Sequence, residues 1–305
     1  MFFLICTLWC QTSCTSMWAV TSAEEYYAIG MAYFDNGKYA EAEKWLNRAK
    51  AMDKTKTASE YNLGRIAFET KRYDEAFRYF NGILAKDPDN VMSLKAAAYT
   101  KVKMGDLESA SAFYDRVLAL TPESADDGYN YALILYVMEK YEESSAVLAK
   151  YPFALLENSD VILLNARLLR VQDKSEAMDW YARWLETNSS SQIRYEYVLI
   201  LEEHGFYARA LEQCRTALKD LPAGSNEPKK ADVRFRLARL LLIADPDNDE
   251  GLTELREAIS EGFDDIDALD ALANREGIAN KEEIQRIAEE TATAKKAREV
   301  PKEQN

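Results

Sequence analysis

One histidine, four cysteines and a short acidic run are the side chains of this sequence whose types could carry chemistry. His204 is the single imidazole among 305 residues. A His-based metal site would therefore lack its second ligand, and any base-assisted nucleophile would depend on this one residue. His204 is followed by Gly205, a pair expected in the turn between two helices, which makes it a solvated turn residue. Asp245, Asp247 and Asp249 resemble the opening of a calcium loop, but Glu250 stands where such a loop needs Gly and Arg256 where it needs a bidentate Glu. Cys6, Cys10 and Cys14 crowd the N-terminus and Cys214 stands alone, so the body can hold no disulfide framework. The sequence has no Gly-rich loop suited to cradling a phosphate. These residues predict no catalytic site, no cofactor and no metal.

Lys plus Arg number 38 against 52 Asp plus Glu, a formal charge of −14. That field repels phosphate backbones and anionic headgroups and argues against nucleic acid as a partner. With 48% hydrophobic residues and only 11 Gly and 7 Pro, the composition is that of a folded chain rather than a disordered one. Residues 2–10 form an apolar run followed by small and polar residues over 11–16, which reads as an export leader spanning residues 1–22. The run is too short to span a bilayer. The first basic residue is Lys38, so the usual positive start of a leader is missing and the natural start is expected upstream. Two processing readings compete. Cleavage after Ala23 would release a soluble protein, whereas the run from Gln11 to Cys14 is similar to a bacterial lipobox and makes Cys14 the lipidation candidate, a lipid there being the chain's membrane contact. Both place the body at the periplasm or cell envelope. A buried N-terminal helix of a cytoplasmic protein is the alternative.

Behind the leader the chain repeats itself. Gly30, Gly64, Ala98 and Ala132 lie 34 residues apart, and the same step links Tyr39, Tyr73, Leu107 and Tyr141, then Ala42, Ala76, Ala110 and Ser144, then Leu46, Phe80, Tyr114 and Leu148. Each unit carries an apolar stripe at helical spacing, a turn such as Asn36-Gly37, and a second stripe, which predicts a helix hairpin. The small residues at 30, 64, 98 and 132 are expected to face Ala42, Ala76 and Ala110 so that paired helices approach closely, while the bulky column fills the wedge between hairpins. Pro88 and Pro122 close second helices because proline lacks the N–H that continuation needs. Cys214 falls in the wedge column and is expected to be buried and inert.

This pattern resembles the tetratricopeptide repeat, with units starting at Ala23, Thr57, Val91 and Ala125. The fourth unit departs from it at Gly128, Ser144 and Leu156. A shortened hairpin with Ala177 and Tyr181 is expected over 161–185, a recovered unit over 192–222 with Gly205, Tyr207, Ala210, Ala217 and Pro222, and a degenerate seventh hairpin over 231–262. The resemblance implies an all-α right-handed superhelix, an α-solenoid of about seven hairpins over residues 23–262. Capping helices are expected over 263–299, at roughly 266–273 and 281–296, and a frayed tail over 300–305.

The resemblance also implies that first helices line a concave groove. Its facing positions here are Tyr27, Met31 and Phe34, then Tyr61, Arg65 and Phe68, then Lys95, Tyr99 and Val102, then Tyr129, Leu133 and Tyr136, with Tyr195 and Leu199 from the sixth unit. Such a surface suits a peptide held by ring packing and a few charge-assisted contacts; the competing reading is that the rings simply pack between helices. The Lys and Asn with which chaperone-tail-binding members hold a terminal carboxylate are replaced by Tyr27 and Met31. The expected function is a non-enzymatic scaffold that binds a protein or peptide partner at a cell envelope. A carrier of a small apolar molecule and a cytosolic adaptor are the rival readings.

Overall fold

The computed structural model describes residues 22–152, 154–246 and 248–299. The expected leader with Cys14, the tail and Asp247 lie outside the described residues. The chain divides into two compact units, one ending at Ile134 and the other beginning at Leu135.

The first unit holds three helix hairpins: α1 (Ala23–Asp35) with α2 (Tyr39–Lys50), α3 (Lys56–Glu69) with α4 (Tyr73–Leu84), and α5 (Val91–Lys103) with α6 (Leu107–Leu120). A single 3-10 turn over Asp53–Thr55, which no sequence pattern announced, joins the first two. The division falls within α7 (Ala125–Val137). The second unit continues with α8 (Tyr141–Leu148), the short α9 (Ala154–Glu157), then α10 (Ser159–Val171) with α11 (Ala177–Thr187), α12 (Ser191–Glu203) with α13 (Tyr207–Lys219), and α14 (Lys230–Ala244) with α15 (Asp249–Ser260). Two last helices, α16 (Ile266–Ala273) and α17 (Lys281–Glu299), follow. Among the described residues there is no β-strand.

Local chemistry fixes where the helices start and stop. Ser22 and Glu25 form a reciprocal capping box at α1, each side chain bonding the other's backbone N–H at 3.1 Å. Asn90, Asp106, Asn158, Ser190, Asn248 and Asp265 cap later helices in the same way, by accepting backbone N–H bonds. Inside the hairpins the turn is one conformation reused. Gly37, Lys71, Gly105, Glu139 and Asp173 follow the 34-residue step and all have positive φ, between 54° and 79°. In each the next residue donates its N–H to a carbonyl five residues back, as in Lys38 to Tyr33 and Arg72 to Ala67. That bond satisfies a carbonyl the helix end would leave open. Only three of these turns are in the first unit, so the step persists into α10 and its turn: Ala166, 34 residues after Ala132, is fully buried. The expected shortening of the fifth hairpin is therefore confined to the start of α11, where Ala177 and Tyr181 stand one residue early.

The close approach within hairpins differs from expectation in its partner. A Cβ added to Gly30 would lie 2.8 Å from Cγ of Leu46, and one added to Gly64 would lie 2.7 Å from the Phe80 ring. The bulky column thus packs back onto the small column of its own hairpin, and helix spacing is set by Gly against Leu or Phe rather than by Gly against Ala. Val198 continues this pairing with the sizes reversed: it occupies the small column opposite Cys214 in the wedge column, and both are fully buried in one cluster. In the second unit α16 and α17 contribute Leu269, Leu272, Ile284 and Ile287 to the cluster that buries Ala238 and Leu255.

Candidate binding surface

The first helices of the first unit bring the predicted residues together. Tyr27, Met31 and Phe34 stand on α1, Tyr61, Arg65 and Phe68 on α3, and Lys95, Tyr99 and Val102 on α5. None is fully buried; Arg65 is exposed, and Tyr99 is 49% exposed. A hollow of about 550 Å³ is lined by Tyr27, Met31, Tyr61, Arg65, Ile83 and Met92 among others. A second, of about 300 Å³, is lined by Tyr61, Arg65, Phe68, Lys95 and Tyr99, with the Phe80 ring and Tyr114 also on its wall. Tyr61 and Arg65 belong to both.

The rings are held by one another. Tyr61 tilts against the buried Phe80 with centroids 5.5 Å apart, and Phe68 sits between Tyr73 at 5.4 Å and Tyr99 at 5.1 Å. These contacts hold the rings in place, with Lys103 Nζ 5.2 Å from the Tyr99 centroid and Tyr99 still 49% exposed.

The polar groups are fixed as well. Asn62, buried to 5% exposure, donates to the Tyr27 hydroxyl and to the Ala58 carbonyl, both at 3.0 Å. Its carboxamide oxygen accepts from Nη1 of Arg65 at 3.0 Å, and the Arg65 guanidinium lies 4.4 Å from the Phe34 ring centroid. Lys95 is engaged elsewhere, its Nζ 2.7 Å from Asp127. Asp127 also accepts from the Thr121 hydroxyl at 3.1 Å, so the lysine is tied to the start of α7. Burial, with smaller contributions from Asp127 and Tyr99, pushes the Tyr114 hydroxyl up to about 12, so Tyr114 lines the hollow as a neutral phenol. Tyr129 and Leu133 on α7 are partly exposed within the first unit.

The corresponding surface of the second unit has a different character. A hollow of about 540 Å³ is lined by Tyr136, Arg167, Arg170, Tyr181, Glu196 and Glu203. Arg167 grips Glu196 with two bonds of 3.0 and 2.7 Å, the Tyr181 hydroxyl donates to the same carboxylate at 3.1 Å, and Arg170 bonds Glu203 at 3.0 Å. Glu202, nearly buried, is held by Arg236 at 2.8 Å and by Arg239. Tyr195 and Leu199 are half-buried on α12. Charges here are matched inside the protein, in a ladder of pairs between α10, α12 and α14. The sequence reading missed Arg167, Arg170, Glu196 and Glu203; carrying the 34-residue step once more, from Ala132 to Ala166, would have found the two arginines.

The chemical candidates take structural places. His204 is the residue that closes α12, ahead of Gly205 with φ 79°. Cys214 is fully buried, and burial pushes its thiol up to about 12. In the acidic loop Asn248 caps α15 by accepting from the Gly251 N–H at 2.9 Å, Glu250 takes a two-bond grip from Arg215, and Arg256 pairs with Glu283. Among the described residues no group of three His, Cys, Asp or Glu is placed to share a metal, and no helix is long and apolar enough to cross a membrane.

Residues 27–91 and again 67–126 match the tetratricopeptide repeat family. No curated protein sequence matches the chain. Solved structures do. A tetratricopeptide repeat protein from Parabacteroides merdae is 18% identical with a TM-score of 0.58, over 88% of this chain and 98% of that one. The pilus biogenesis factor PilW is 15% identical with a TM-score of 0.56, over 67% and 95%. YrrB, described as a tetratricopeptide repeat protein with an unusual peptide-binding site, is 23% identical with a TM-score of 0.53, over 63% and 96%. At these identities the likeness is one of fold. The family matches make residues 27–126 a run of tetratricopeptide repeats, and the same hairpin turn recurs beyond them at Glu139 and Asp173.

Proposed function

We propose that this protein is a scaffold that holds a peptide segment of a partner protein on the first helices of its first unit. The observation that carries the reading is the pair of adjoining hollows that share Tyr61 and Arg65, floored by rings from α1, α3 and α5. Fixed aromatic side chains bury large area at low entropic cost, which is why they dominate binding hot spots. YrrB, a protein of similar fold, is described as having a peptide-binding site, which supports a peptide as the class of ligand. The second unit's matched ion pairs suit a supporting part, since a ligand there would have to displace bonds already made.

The proposal includes export, supported by the apolar run over 2–10 and the clustered cysteines, with Cys14 as the site of a lipid anchor or a soluble form starting near Glu24. Partners captured by cross-linking in envelope extracts should be lost from the Tyr61→Ala, Tyr99→Ala double variant at unchanged helicity, a weakening of about 2 kcal/mol or more. Retention of every partner would contradict the reading.

A further inference from the structure

Arg65 stands out among the cations that line the two hollows, Lys54, Arg65 and Lys95. Lys95 is bonded to Asp127, Lys54 at the rim of the larger hollow pairs with Glu24, and Lys101 is bonded to Asp106. Arg65 is exposed, yet its orientation is fixed from two sides, by the buried Asn62 carboxamide and by the Phe34 ring. Among the described residues no carboxylate pairs with it. A guanidinium carries five N–H donors in a planar fork, and only one is engaged here. Glu69, which lines the smaller hollow, is a solvent-exposed carboxylate that leaves the fork unpaired. In a chain of charge −14, a cation held in place by neutral groups keeps its charge available to a carboxylate from outside.

Its position says what would complete it. Arg65 lines both hollows, so a ligand that fills both must pass over it and continue on each side. A terminal carboxylate seated on Arg65 would leave one hollow empty. Resting on the peptide-scaffold reading above, we infer that the partner segment carries an internal Asp or Glu side chain gripped by Arg65. The apolar side chains flanking that acid fill the larger hollow among Tyr27, Met31 and Met92 and the smaller one among Phe68 and Tyr99. Asn62 is a positioning residue, acting through Arg65.

The test uses the full chain and capped synthetic peptide libraries, alike except for a central Glu, Gln or Lys, with flanking positions drawn from Leu, Phe, Ala and Ser. The wild-type protein should bind the Glu library about tenfold more tightly than the Gln library, the advantage of a hydrogen-bonded charge. The advantage should vanish in Arg65→Gln and pass to the Lys library in Arg65→Glu, and it should shrink as salt is raised. Equal binding of the Glu and Gln libraries by the wild type overturns the inference without recourse to any variant. If that equal binding is still lost in Tyr61→Ala, Tyr99→Ala, the groove reading stands alone; if it is not, both fall. Peptides cut after the central Glu, with a free terminal carboxylate, that bind as tightly as the uncut Glu library would overturn the internal placement of the acid.

Discussion

A Cβ on Gly64 would lie 2.7 Å from the ring of Phe80, and this one approach sets the spacing of the hairpin that carries Tyr61 and Arg65. Phe80 is 2% exposed and supports the Tyr61 ring from below, so the helix packing and the binding surface share a residue. Replacing Gly64 with Ala should therefore lower stability by about 1–3 kcal/mol through overpacking, despite the better helix propensity of alanine. Gly82, exposed on α4 with nothing within 4 Å of an added Cβ, supplies the control. Gly82→Ala should stabilise by about 0.5–1 kcal/mol. Chemical denaturation of both variants checks the opposite signs.

The reused turn gives a second pair of opposite effects. Lys71 has φ 62° where Gly105 has φ 79°, and a left-handed conformation costs a residue with a Cβ about 1–2 kcal/mol. Lys71→Gly should raise stability by about 0.5–1 kcal/mol and Gly105→Ala should lower it by about 1 kcal/mol. Thermal unfolding of the two variants measures both.

Much of this architecture is legible in the sequence, because a 34-residue step in residue size is a statement about contacts that each hairpin must repeat. The turn conformation is less so: Lys71 and Glu139 give no hint of positive φ by type, Asp173 gives a weak one, and the step from Gly37 and Gly105 is what reveals them. The groove positions of α1, α3 and α5 follow from the repeat register, but the roles within them do not. That Lys95 is tied to Asp127 and Arg65 to Asn62 and Phe34 depends on side-chain directions that no spacing rule encodes. The second unit's arginines escaped notice because Ala177 and Tyr181 stand one residue early, which hides the register that Ala166 keeps.

Asp106 links Lys101 to the start of α6. The Lys101 ammonium, bonded at 2.8 Å, and the Ser109 N–H hold its carboxyl at about 2, below the ordinary 3.8. A depressed folded value means that the stabilisation is present above the unfolded value and is lost as pH falls through the folded one. The difference in melting temperature between wild type and Asp106→Asn should thus be constant above about pH 5 and shrink between about pH 4 and pH 2. A difference that stays flat over that range would show that the Lys101 pair contributes nothing.

Cys214 should behave as a buried thiol. Its thiol is pushed up to about 12 and it is fully enclosed, so a thiol reagent at pH 8 should leave it unmodified in the folded protein and modify it rapidly in denaturant. Mass spectrometry of both samples reads the outcome, and a mature protein starting near Glu24 would carry this cysteine alone.

The ion-pair ladder of the second unit should support structure without taking part in binding. Arg167→Gln leaves the partly buried Glu196 without its two-bond partner and should cost about 1–3 kcal/mol, while affinity for a peptide held by the first unit stays within twofold or so. Calorimetric binding at a temperature where the variant is folded separates the two effects.

The most direct test of the scaffold reading is hydrogen exchange of the full chain, free and saturated with its tightest peptide from a capped library. The account predicts slowed exchange in α1, α3 and α5, centred on the turns of helix that carry Tyr27, Tyr61, Arg65 and Tyr99, with α10, α12 and α14 unchanged. Protection confined to α10, α12 and α14, or to the second helices α2, α4 and α6, would contradict it.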